Sequence, residues 1–213
     1  MRTTKSSPRS TLILVRHAHT EMAGRFCGQI DPPLSAQGLA QLPELSEKLN
    51  GYSFTHIFSS DLVRTRQTAG AIAARHNLPV EVLRSLREVA FGSWEGLDWD
   101  QVVAQDPVYA QRWLDHYPSL PAPGGEGLEP FRRRIREAMD AIADAVQGGC
   151  AVVVTHGGVI RTFSGNLLRT GSGFQCDYAG CWEISHEGQQ WGTLQEIALP
   201  STPEVMACRV MSD

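Results

Sequence analysis

The chain alternates short, wholly apolar runs with longer stretches whose apolar positions recur at helical spacing. Thr11 to Val15 and Cys150 to Thr155 are continuous apolar segments bounded by polar or glycine-rich sequence, the signature of strands buried on both faces. His56-Ile-Phe58 and Val80 to Leu83 read as two further short strands, and Cys181 to Ser185 and Thr193 to Leu199 as a final pair. Between them lie helical patterns. Ser35 offers an N-cap ahead of Leu39, Leu42, Leu45 and Leu49, with Pro43 expected to kink that helix. Ser59-Ser60-Asp61 offers caps for a helix running through Leu62, Thr65, Ala69 and Ile72 to about His76. Trp99, Val102, Val103 and Trp113 predict one helical stretch reaching about Tyr117. Pro130, at a first-turn position, opens a long amphipathic helix through Phe131, Ile135, Ala138, Ile142 and Val146, which Gly148-Gly149 ends. A last helix is predicted from Gly158 to Leu168, and residues 16–33, 84–97 and 118–127 are irregular. This alternation predicts an α/β fold: a three-layer α/β/α sandwich with a mostly parallel central sheet.

Bulk properties narrow the class. At 213 residues one domain is expected, over residues 11–199, with an N-terminal tail at 1–10 and a C-terminal tail at 200–213. No apolar stretch approaches the roughly 20 residues of a membrane helix, and the polar first ten residues lead into no secretory signal core, so no membrane is expected. Five cysteines, at 27, 150, 176, 181 and 208, show no metal-type spacing and suit reduced thiols in a cytoplasmic setting. A formal net charge of −4 disfavours nucleic-acid binding, so any positive site must be local. The strands over residues 181–199 could form a sheet edge that joins two copies as a homodimer, although Pro200 and Pro203 would blunt it.

The chemistry sits at the strand ends. The first strand delivers Arg16 and His17, and the Cys150 to Thr155 strand delivers His156 before Gly157-Gly158. Ligands of open α/β sheets bind beyond the carboxyl ends of the strands, so two imidazoles and a guanidinium there suit an anion, most simply phosphate. Arg64 and Arg66 lie about 200° apart on their helix. Arg64 is nearer the N-terminus, where an anion would sit, and Arg66 reads as solvated. Glu88 precedes Phe91-Gly-Ser-Trp94-Glu-Gly96, where an aromatic wall could partly dehydrate its carboxylate. Each of these signals alone is ambiguous: His17 could serve only its own backbone, Glu88 could be a surface charge, and the glycine pair could serve only packing.

Read together and in order, the segments resemble the histidine phosphatase superfamily, the phosphoglycerate mutase-like proteins. The resemblance is carried by Arg16-His-Ala-His-Thr20, Pro33-Leu-Ser-x-x-Gly38, Ser59 to Ala69, Leu86-Arg-Glu88, Phe91-Gly-x-Trp-Glu-Gly96, Pro123-Gly-Gly-Glu126 and Val154-Thr-His-Gly-Gly-Val-Ile-Arg161. The aromatic and Pro-Gly-Gly-Glu elements are most similar to the α-ribazole phosphatase and broad-specificity phosphatase branch. The resemblance implies a hydrolase of small phosphate monoesters that needs neither metal nor cofactor. In it His17 attacks phosphorus, Arg16, Arg64 and His156 surround the phosphoryl oxygens, and Glu88 protonates the leaving alkoxide. Thr20, Arg25 and Gly157 are implied as substrate-binding residues.

Several positions depart from that pattern. Ala18 replaces a glycine, acceptable where no positive φ is needed. His19, often Glu, reads first as an exposed loop residue, and Ala23 stands where an asparagine often touches phosphate, a loss for which Arg25 could compensate. Gly127 replaces a frequent serine. A phosphoglycerate mutase would need extra basic residues over the site, whereas the segment after Gly96 carries Asp98, Asp100, Asp106 and Asp115 against Arg112. A catalytically inactive phosphate-ester binding protein would have no use for Glu88.

Overall fold

The structure, a computed structural model, describes residues 8–165 and 175–198. Its sheet contains β1 (Arg9–Arg16), β2 (His56–Ser59), β3 (Val80–Val82), β4 (Cys150–Thr155), β5 (Cys181–Glu187), β6 (Gln190–Trp191) and β7 (Gln195–Glu196). The spatial order is β3-β2-β4-β1-β5-β6, with β7 also on β5. The first four strands are mutually parallel, and β5, β6 and β7 continue the sheet antiparallel. The sheet is therefore mixed, its parallel part holding the two long apolar strands at the centre. β1 starts at Arg9, two residues inside the stretch expected as a tail, because the Ser10 hydroxyl is buried and donates to the Ala143 carbonyl.

Both faces of the sheet are covered. Ile13, Val15, Val152 and Val154 pack against Leu45 of α1 (Ala36–Lys48), Leu49 at its C-cap, and Ala69 and Ile72 of α2 (Val63–His76). Leu12, Leu14 and Val153 face the opposite way, against Phe131, Ile135 and Met139 of α5 (Leu128–Val146) and Val159 of α6 (Gly157–Phe163). Side chains alternate faces along a strand, so consecutive apolar residues in β1 and β4 feed two separate cores and produce the three layers.

Some boundaries differ from expectation, for local reasons. Ser35 caps α1 as its sequence suggests, accepting from the Gly38 N–H, and the helix continues through Pro43. At α2 the predicted caps act differently. Asp31 of the preceding loop accepts from the Val63 N–H at 2.6 Å, Ser60 Oγ accepts from Leu62, and Asp61 is drawn into an ion pair with Arg87. The single helix predicted over 99–117 is two, α3 (Trp99–Gln105) and α4 (Pro107–His116). Pro107 cannot donate to the preceding turn, and the Asp106 carboxylate caps the new one. The left-handed residue that closes α5 is Gln147 rather than the glycines after it. The strands expected over residues 181–199 form one end of the sheet, β5 pairing with β1 on one side and with β6 and β7 on the other. Leu199, and the last residues of the helix predicted to Leu168, lie outside the described residues.

Candidate active site

Register alone brings the two histidines together. Arg16 of β1 pairs with Thr155 of β4 in parallel register, so the residues that follow, His17 and His156, leave adjacent strands side by side. The His17 N–H donates to the Thr155 carbonyl at 2.9 Å, and the two imidazole centroids are 5.2 Å apart. Both rings are buried.

His17 Nδ1 lies 2.8 Å from the Ala18 carbonyl. A carbonyl can only accept, so Nδ1 carries the proton of the neutral ring and Nε2 keeps its lone pair. Burial and the Arg64 guanidinium hold the His17 pKa well below its ordinary 6.5, so the ring is neutral at physiological pH. Ala18 takes no positive φ; it is fully buried, and its N–H donates to Thr68 Oγ1. Alanine therefore fits where the family motif has glycine.

Two guanidinium groups lie beside these rings without any ion pair among the described residues. Arg64 is almost fully buried and donates to the carbonyls of Ile30 (2.7 Å) and Gly28 (2.8 Å), clasping the long loop after β1 to the start of α2. Gly28 has φ +49°, and a Cβ there would collide with Glu95, whose carboxylate accepts the Gln29 and Phe91 N–H groups. Arg16 donates to the Cys176 carbonyl and lies 3.6 Å from the Tyr178 ring centroid, a cation–π contact. Arg16 Nε, Arg64 Nε and His156 Nδ1 are buried with no hydrogen-bond partner among the described residues. His156 Nε2 lies 3.0 Å from Ser60 Oγ, and burial followed by Arg64 lowers its pKa well below 6.5. Buried polar nitrogens are ordinarily paired. Here three unpaired ones belong to residues whose charges act on one another, an arrangement that suits an anion rich in acceptor oxygens.

Glu88 enters from the segment after β3 (Val80–Val82). Its Oε1 accepts from Val89 N–H and its Oε2 from Gly158 N–H, both at 2.9 Å. A Cβ on residue 158 would occupy the space of that carboxylate, so the second glycine after His156 is what admits Glu88. Arg134 of α5, which sequence reasoning missed, fixes the same segment. It donates to the carbonyls of Ser85, Arg87 and Glu88 and forks onto both oxygens of Glu126. Nothing in the helical pattern marks Arg134 apart from its neighbours Arg132 and Arg133; only its half-buried place does. Tyr178 and Ser60 were likewise unseen, because their partners lie far away in sequence.

A cavity of about 330 Å³ adjoins these residues. Arg16, Glu88, Gly157 and Gly158 line it together with the aromatic wall of Phe91, Trp113 and Tyr117, while His17, Arg64 and His156 lie outside its lining. The wall belongs to a cluster in which Phe26, Trp94, Trp99 and Trp113 meet ring to ring, so the aromatic segment after Glu88 does form the expected apolar surface. Arg25 lines the cavity away from the two imidazoles, donating to the Gly96 carbonyl and Gln101 and paired with Asp98 at 3.6 Å. These contacts hold its guanidinium against residues 96–101. Thr20 is buried in a bridge with Leu34 and is not part of the cavity wall. His19 is not an exposed loop residue: its Nδ1 lies 2.8 Å from Ser35 Oγ and its ring packs on Tyr178, 5.1 Å between centroids.

Comparison with known proteins agrees with this geometry. The family model of the histidine phosphatase superfamily (branch 1) matches residues 12–196. An adenosylcobalamin/alpha-ribazole phosphatase of Escherichia coli is 27% identical over 192 residues, covering 87% of this chain and 94% of that protein. A metal-independent phosphoserine phosphatase of Arabidopsis thaliana is 32% identical over 186 residues, covering 84% and 78%. Among solved structures, a phosphoglycerate mutase from Bacillus anthracis superposes with a TM-score of 0.76 at 26% identity, covering 88% of this chain and 92% of that one.

Proposed function

The chain belongs to branch 1 of the histidine phosphatase superfamily, and on that premise we propose that it hydrolyses small phosphate monoesters through a phosphohistidine at His17. The hydrogen bond from His17 Nδ1 to the Ala18 carbonyl carries the reading, because it leaves Nε2 as a neutral, unprotonated nucleophile beside two guanidinium groups that form no ion pair among the described residues. In the first step Nε2 attacks phosphorus and the ester P–O bond breaks. Glu88, protonated at that stage, gives its proton to the departing alkoxide; each of its oxygens keeps a second lone pair beyond the backbone bond it accepts. In the second step Glu88, now a carboxylate, takes a proton from water, the water oxygen bonds to phosphorus, and the N–P bond breaks to release phosphate.

Arg16, Arg64 and His156 hold the three equatorial oxygens. Fixed donors in a dry site stabilise the charge without reorganising. This charge supply fits the kinship with the plant enzyme, a metal-independent phosphoserine phosphatase, and no metal or cofactor is assigned to the reaction. Gly157, on which Arg16 packs, shapes the floor, and Arg25 and the aromatic wall contact the alcohol. Thr20, buried in its bridge with Leu34, braces the loop after β1. The relatives' names carry different alcohols, ribazole and serine, so the class proposed here is the phosphate monoester, with an α-ribazole phosphatase-like substrate as its first candidate.

The test is His17→Ala. Turnover of p-nitrophenyl phosphate should fall to background, and acid quenching of the unsubstituted protein with radiolabelled substrate should leave label on His17. Turnover surviving the substitution, or label elsewhere, overturns the reading.

A further inference from the structure

The cavity wall carries three charged side chains beyond Arg16 and Glu88: Arg25, Glu126 and Arg161. Arg25 is paired with Asp98, and Glu126 is held at 2.8 Å by Arg134. Arg161 forms neither an ion pair nor a side-chain hydrogen bond among the described residues. It stands on α6 four residues after Gly157, and residues so spaced share one helix face about 5–6 Å apart. Both line the cavity, Arg161 one helical turn along from Gly157. Trp113 and Tyr117, from the α4 side, line the same cavity with their rings 4.8 Å apart.

We propose that Arg161 is a specificity-determining residue: it selects phosphate monoesters whose alcohol has a flat or apolar body bearing a second anionic group about one helical turn from phosphorus. The inference rests on the phosphatase reading above and deepens it by assigning the far end of the substrate. The phosphoryl group occupies Arg16 and Arg64, the body lies along Trp113 and Tyr117, and the second anion meets the free guanidinium, whose fork matches a carboxylate or phosphoryl oxygen pair. Tyr117 reports the same neighbourhood. Its phenol pKa is pushed up by part-burial and by Glu88 and eased down by Arg161, so the ring lies within the field of both groups.

The experiment compares para-carboxyphenyl phosphate with para-carbamoylphenyl phosphate, which share shape and differ in one charge. Their affinities are measured by calorimetry on the His17→Ala protein, which does not turn them over, and again with Arg161→Gln or Arg161→Lys added. The carboxylate should bind about tenfold more tightly than the amide, as one charge-assisted pair at a half-open site allows. The ratio should fall to about one with glutamine and recover in part with lysine. In the His17→Ala protein it should also narrow as salt is raised, a readout that needs no further substitution. Equal binding of the two esters, or a ratio that survives Arg161→Gln, overturns the assignment. Phosphate release by the His17→Ala protein would instead count against the nucleophile, and it is read separately from the affinity ratio.

Discussion

Glu88 is held before any substrate arrives, its two oxygens fixed by the N–H groups of Val89 and Gly158. A carboxyl so placed can act as an acid only toward an atom at the inner end of the cavity, so its contribution should follow the basicity of the leaving group. Glu88→Gln should slow phosphorylation of His17 by about 10²–10⁴-fold for alkyl phosphates, the range of general acid catalysis. The loss should be much smaller for p-nitrophenyl phosphate, whose leaving group needs little protonation. Single-turnover rates on both substrates decide it: equal slowing would make Glu88 a wall of the pocket only. Glu126, the other carboxyl that lines the cavity, is forked on both oxygens by Arg134. At this scale the sequence was most readable where a residue follows a strand directly. His17, His156 and Glu88 are placed by their own short segments, whereas His19 was misread because its partners, Ser35 and Tyr178, arrive from elsewhere in the chain.

Among the elements, α5 does more than cover the sheet. One face supplies Phe131, Ile135 and Met139 to the core, and from its first turns Arg134 reaches the carbonyls of residues 85, 87 and 88. The helix thereby positions Glu88 through its backbone. Arg134→Met keeps the length of the side chain but leaves those carbonyls and the Glu126 carboxylate without their donor. A loss of about 2–4 kcal/mol in urea unfolding is expected from breaking a largely buried pair and its bonds. A fall in kcat larger than any change in KM should accompany it, and normal kcat in a destabilised protein would confine Arg134 to a structural role. Such ties are invisible to periodicity, which sees only which face is apolar. The same limit explains the helix read as continuous over 99–117. Val102, Trp99 and Trp113 all enter one aromatic cluster, so the pattern persists across the break that Pro107 and the Asp106 cap impose.

For the whole molecule, the parallel strands, both loops after them and the start of α2 converge to bury two imidazoles in a field of guanidinium charge, and stability must carry the consequence. In the unfolded chain each ring takes a proton near its ordinary 6.5; in the fold burial and Arg64 keep both pKa values well below it. Between those values the unfolded state binds more protons than the folded one, so stability is full above about pH 6.5 and declines as pH falls toward the folded pKa values. Each buried ring contributes up to about 1.4 kcal/mol per pH unit over that window. Asp61, lowered from its ordinary 3.8 by the hydrogen bond and charge of Arg87, is also lost on acidification, but only at lower pH, so it does not confuse the upper window. Urea midpoints measured from pH 7.5 down to about pH 5 should therefore drop, and His156→Asn should flatten the slope by about the share of one ring. Vanadate or phosphate should flatten it too, because an oxyanion beside Arg16 and Arg64 offsets the charge that keeps the imidazoles neutral. An unchanged slope in the His156→Asn protein would mean that this ring is not held neutral by its surroundings, and the electrostatic account of the site would fall with it.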